Sequence, residues 1–70
     1  MNEKDKLRIL IPHWISHNKE HAQEFRDWAY RAGEPIPGIL AAADAVEKAN
    51  EYLAEALEAL GGSANAIFPE

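Results

Sequence analysis

The sequence predicts an all-α fold, an antiparallel two-helix hairpin, and three observations carry that reading. Apolar residues recur at three- and four-residue spacing along two long segments. Between them stands GEPIPG, residues 33–38, where two glycines and two prolines in six residues make a turn. The chain has 70 residues and no cysteine. It is therefore read as one small domain, residues 1–62, with a tail at 63–70. Its thin core can be stapled by neither a disulfide nor a thiolate-bound metal.

The first helix is expected over about residues 3–32. Asn2 can cap it, Glu3 and Asp5 suit its positive end, and Gly33 can terminate it in the left-handed conformation. Pro12 conflicts with this, because it removes a backbone donor and crowds the carbonyl of Arg8. A kink is expected there, or a short separate helix from about residue 4 to 10. The second helix is expected over about residues 37–60. Pro37 stands near its first position, where a missing N–H costs little, and LGG ends it with Gly61 as the cap. In the tail, Ile67 and Phe68 are apolar enough to fold back over an open end of the bundle.

The expected seam of the first helix is Ile11, Trp14, Asn18, His21, Phe25 and Trp28. That of the second is Ile39, Ala43, Val46, Asn50, Leu53, Leu57 and Leu60. A short turn makes the helices antiparallel neighbours, so facing residue numbers should sum to about 68. Asn18 then faces Asn50, Phe25 faces Ala43, Trp14 faces Leu53 and Trp28 faces Ile39 or Leu40. The facing asparagines can act as register control in an otherwise apolar seam.

A two-helix hairpin leaves apolar surface that needs a cover. One side of the second helix carries Ala42, Ala45, Ala49, Tyr52, Ala56 and Ala59. Opposite lies an acidic side with Asp44, Glu47, Glu51, Glu55 and Glu58. The alanine side neighbours the flank of the first helix that carries Leu10, His13 and His17. The simplest cover is a homodimer, giving a four-helix bundle. A larger protein partner would serve equally.

The three histidines, His13, His17 and His21, are spaced four apart, and such residues stack on one helix face. Glu20 and Glu24 follow His17 and His21 by three. Imidazole and carboxylate on one side of a helix suit a divalent transition metal, nickel or zinc above magnesium or calcium. The expected ligands are His17, His21 and Glu24, with His13 and Glu20 as accessories. Symmetry mates in a dimer would complete the set. The asparagine layer would orient the imidazoles from behind. Affinity should then fall as pH drops, since bound imidazole must be neutral.

Several specific alternatives fail. The wording HNKEH puts Glu at the fourth position, not the second as in the metalloprotease helix. No Glu-x-x-His occurs, and the second helix has no histidine, so di-iron and hemerythrin-like patterns are absent. Equally open is a reading without metal, in which the stripe is solvated ion pairs and His21 is a satisfied core residue bonded to Asn18 or Glu47. Clustered histidines at an interface would also repel one another once protonated, which would make a pH switch. Catalysis is not expected. Ser16 lacks a supporting triad, and no glycine-rich phosphate loop is present.

A net charge of −5 and the lack of a Lys/Arg cluster argue against nucleic acid. Apolar runs such as Ile9 to Pro12 are too short to span a membrane. Without a signal-peptide pattern, a cytoplasmic location is expected.

The segments LRILIPHWISHNKEHAQEFRDWA and KANEYLAEALEALGG carry a resemblance. With His13-Trp14, His17-Asn18, Glu20-His21, Phe25, Trp28, Ala49-Asn50, Leu53 and Leu57, the chain resembles a small helical domain of unknown function over about Leu7 to Gly62. That domain occurs alone or behind small nickel-binding proteins of the CooT type, in bacteria and archaea of anaerobic habit. The resemblance brings no established activity and hands over no functional residue. It implies nickel or another transition metal at His13, His17 and His21. The turn GEPIPG departs from the pattern in being shorter and richer in proline, which bears on the register of the two helices.

The expected function is thus a non-enzymatic metal-binding or metal-handling helical protein. The alternative is a structural interaction module or accessory subunit with no metal.

Overall fold

The computed structural model describes residues 2–33 and 36–64. Two helices account for most of them: α1 spans Glu3–Arg31 and α2 spans Pro37–Ala59. The expected two-helix hairpin is what forms. The pair makes a single layer, 47 × 23 × 14 Å. Ile67 and Phe68 lie outside the described residues.

Local chemistry sets the helix ends. The Asn2 side chain accepts a hydrogen bond from the Asp5 amide at 2.8 Å, with Glu3 and Asp5 in the first turn. This satisfies one of the amides that a helix start leaves unpaired. At the far end Gly33 takes φ 97°, and its amide reaches the Tyr30 carbonyl. No side chain caps α2, but Pro37 opens it and eight of its 23 residues are alanine, the best helix former. The α2 end is a Schellman turn. The Gly62 amide bonds the Leu57 carbonyl, the Gly61 amide bonds Glu58, and Gly61 sits at φ 100°. Leu60 is the cap residue, with Gly61 just beyond it.

Pro12 does not divide α1, which runs through it as one helix. The short separate helix expected at residues 4–10 is therefore absent. The physical reason is the packing of the segment just before the proline. Ile11 is only 3% exposed, and Arg8 donates from Nε to the Gly62 carbonyl at 2.7 Å. The segment before Pro12 is thus held against the end of α2, where Ala64 is also buried.

The register is the expected one. Asn18 Nδ2 donates to Asn50 Oδ1 at 2.9 Å, and Asn50 Nδ2 donates to the Ile15 carbonyl at 3.1 Å. Asn50 is 8% exposed, and no buried side-chain nitrogen or oxygen among the described residues lacks a partner. This matters because an unpaired buried amide would cost about 1–3 kcal/mol.

The seam of α2 holds as expected: Ala43 and Asn50 are buried, and Ile39, Val46, Leu53, Leu57 and Leu60 are half-buried. The seam of α1 needs correction. Its buried residues are Ile11, Ala22 and Ala29, with Ile15, Asn18 and Phe25 half-buried. Trp14, His21 and Trp28 are exposed. The seam is rotated toward small residues, because fully buried Ala22, Ala29 and Ala43 let the backbones approach closely. Among the described residues no large side chain is fully buried.

Candidate functional site

The rotation of α1 creates a second row on its outer flank. Leu10, Trp14, His17, His21, Glu24 and Trp28 repeat at three- and four-residue spacing, one position behind the seam residues 11, 15, 18, 22, 25 and 29. A helix with two adjacent rows of this kind is built to touch two neighbours. Among the described residues its only neighbouring element is α2. Trp14 is 40% exposed and Trp28 59% exposed. The Arg31 guanidinium lies 5.0 Å from the Trp28 ring centroid.

This outer row shares one face of the hairpin with the alanines of α2. A groove of about 450 Å³ runs between Phe25 and Trp28 on one helix and Gly38, Ile39 and Ala42 on the other. Ala42, Ala45, Ala49, Ala56 and Ala59 are all exposed. Tyr52, also exposed, has the Lys48 ammonium 5.4 Å from its ring centroid.

The histidines form an exposed ladder. Ring centroids are 4.5 Å apart for His13 and His17, and 6.3 Å for His17 and His21. His21 Nδ1 lies 3.4 Å from Glu24 Oε1, with both side chains more than half exposed. Two turns of helix, about 12 Å, separate His13 from His21, so one ion on one chain can reach two of the three imidazoles. Among the described residues no group of three or more His, Asp or Glu side chains gathers around a common point. The expected ligands His17, His21 and Glu24 thus share a row, and only His21 and Glu24 touch. His13 and Glu20 are exposed on the same helix.

Two expectations about the neighbouring polar groups are corrected. His21 is not a core residue bonded to Asn18 or Glu47: it is exposed, Asn18 bonds Asn50, and Glu47 pairs with Arg26. The asparagine pair is turned toward the helix–helix seam, where it bonds itself and the Ile15 carbonyl. It seats the helices on each other instead of orienting imidazoles.

The opposite face is polar, and the sequence reading missed its centre. Arg26 Nη2 donates to Asp44 at 2.9 Å, and Nη1 pairs with Glu47. Its pKa is raised above the ordinary arginine value, first by the hydrogen bond to Asp44 and then by that to Glu47. The signal available was an Arg on α1 level with a carboxylate run on α2, given the register. Lys19, Gln23 and Glu51 line the rest of a groove of about 540 Å³ on this side.

The hairpin therefore belongs to a recognisable class, a two-helix chain with one charged face and one face of tryptophan, histidine and alanine. Comparison with known proteins narrows this. The chain belongs to a family described as a domain of unknown function, DUF8180, which it matches over residues 7–60. No curated protein and no solved structure matches it. Among the described residues no helix is long and apolar enough to cross a membrane.

Proposed function

We propose that this protein is a non-enzymatic interaction module, a helical subunit whose tryptophan–histidine–alanine face docks on other helices to complete a four-helix bundle. The observation that carries this reading is an inversion. The chain's bulkiest side chains, Trp14, Trp28, Tyr30 and Tyr52, lie outside, while its buried positions hold mainly alanine. Among the described residues, a single layer 14 Å thick has no second layer to cover them. The occupant is another copy of the chain or a larger protein.

The test is the native size of the protein in extracts of its own cells, followed by immunodetection after size exclusion. The wild type should elute well above its monomer mass of 7.8 kDa. Ala49→Glu, which places a charge on the exposed alanine row, should elute as a monomer with unchanged helix content by circular dichroism. Monomeric elution of both would overturn the module.

Metal handling is the second reading, favoured by the His21–Glu24 contact beside His17. In it, nickel or zinc is held by His17, His21 and Glu24, with His13 and Glu20 in support. Imidazole nitrogen and carboxylate oxygen suit either ion. Because one row supplies too few converging donors for a closed site, water or a partner's side chains would fill the remaining positions. Equilibrium dialysis against each ion decides it. One ion bound per chain, lost in His17→Ala, supports the metal; identical weak binding by both proteins dismisses it.

A further inference from the structure

We infer that the docking face is occupied by a second copy of this chain, crossed so that α1 of each copy lies on α2 of the other. The inference rests on the docking reading above and names its partner.

Size complementarity is the first argument. The face has a bulky half, with Trp14, His17, His21 and Trp28 on α1, and a small half, with Ala42, Ala45, Ala49 and Ala56 on α2. A two-fold interface places one patch against itself. Pairing α1 with α1 would stack bulk on bulk and leave the alanine rows facing each other across a gap. The crossed pairing seats bulk over alanine twice, at the close helix spacing that small residues permit.

Charge points the same way. The acidic residues Asp44, Glu47, Glu51 and Glu58 lie away from this face, on the side of the Arg26 pairs or beyond it. The docking face therefore carries little of the net charge of −5 that would repel a copy. The charges at its edges are matched within the chain, Glu24 by contact with His21 and Lys48 by an ion pair with Glu51.

Area is the third argument. A face 47 × 23 Å spans roughly 1,000 Å², against about 800 Å² per partner in a stable interface. The crossed bundle also leaves the two histidine ladders at diagonal corners, so it assembles without a shared metal ion.

The absence of cysteine makes a cross-linking test clean. The Asn18–Asn50 bond marks the middle layer of the hairpin. His17 and Ala49 both lie beside that layer, so a two-fold running along the helices, which keeps each layer at its own height, brings them together. Purified His17→Cys and Ala49→Cys proteins are mixed with chelator present, oxidised mildly and resolved by mass. The expected result is a His17→Cys/Ala49→Cys heterodisulfide at least about fivefold more abundant than the His17→Cys homodisulfide. Sedimentation equilibrium of the wild type with chelator should give twice 7.8 kDa.

A predominant His17→Cys homodisulfide would overturn the crossed arrangement. A purified wild type that stays monomeric at every concentration would overturn the second copy. If that monomer runs as a larger species in cell extract, the docking reading survives with a different partner; if it is monomeric there too, both fall.

Discussion

The inner and outer rows of α1 are one residue apart in sequence and opposite in composition. The inner row, Ile11, Ile15, Asn18, Ala22, Phe25 and Ala29, meets α2 largely through small side chains and an amide pair. The outer row, Leu10, Trp14, His17, His21, Glu24 and Trp28, carries more bulk and is exposed throughout. In a self-sufficient hairpin the larger side chains would face the neighbour, because burying them yields the most stabilisation. Here the inner row is shaped for close approach and the outer row for reach. The difference supports the proposal that α1 has a second neighbour outside the chain.

Substitutions can break that comparison, beginning with the inner row. Ile11→Ala empties the most buried large position on α1 and should cost about 2–4 kcal/mol in urea unfolding of the separated chain. Ala29→Leu forces bulk into the close helix contact and should cost about 1–3 kcal/mol by the same measurement. Asn50→Ala strands the Asn18 amide and should cost a similar or slightly smaller amount. A double-mutant cycle with Asn18→Ala should then show strong coupling between the two. Gly61→Ala puts a side chain at φ 100° and should cost about 1 kcal/mol, seen as a lower thermal midpoint. Trp28→Ala should move the stability of the dissociated chain by no more than about 0.5 kcal/mol, while weakening association measured by sedimentation. If Trp28→Ala destabilised the dissociated chain as much as Ile11→Ala does, the two rows would not differ in the way described.

The same contrast explains what could be read from the sequence. On α2 one row is Ile, Ala, Val, Asn and Leu, and the adjacent row is mostly alanine, so bulk alone picks the seam. Every seam position assigned there is buried or half-buried. On α1 the expected seam alternated between the two rows, taking Ile11, Asn18 and Phe25 from the inner one and Trp14, His21 and Trp28 from the outer. Size favoured the tryptophans, whereas backbone proximity favoured Ala22 and Ala29. Which of two overlapping stripes faces a partner depends on how closely the axes approach, and spacing does not encode that. The register was legible because two asparagines in otherwise apolar rows can satisfy each other only when level. The ends were legible because Asn2, Gly33, Pro37 and Gly61 each act through local backbone chemistry. The separate helix expected before Pro12 does not form: the proline's local cost was weighed without the packing of Ile11 and the Arg8–Gly62 bond just before it. Of the histidine stripe, the sequence revealed the shared face; the exposure and the contact between His21 and Glu24 needed coordinates.

Both tryptophans of the chain lie on the outer row, so its intrinsic fluorescence reports that face and little else. Emission of the purified wild type, followed from nanomolar to high micromolar concentration, tests the central claim directly. The account predicts a blue shift and falling acrylamide quenching as concentration rises, with both changes abolished by Ala49→Glu. Emission that stays red and freely quenched across the whole range would contradict a face covered by a second copy of the chain.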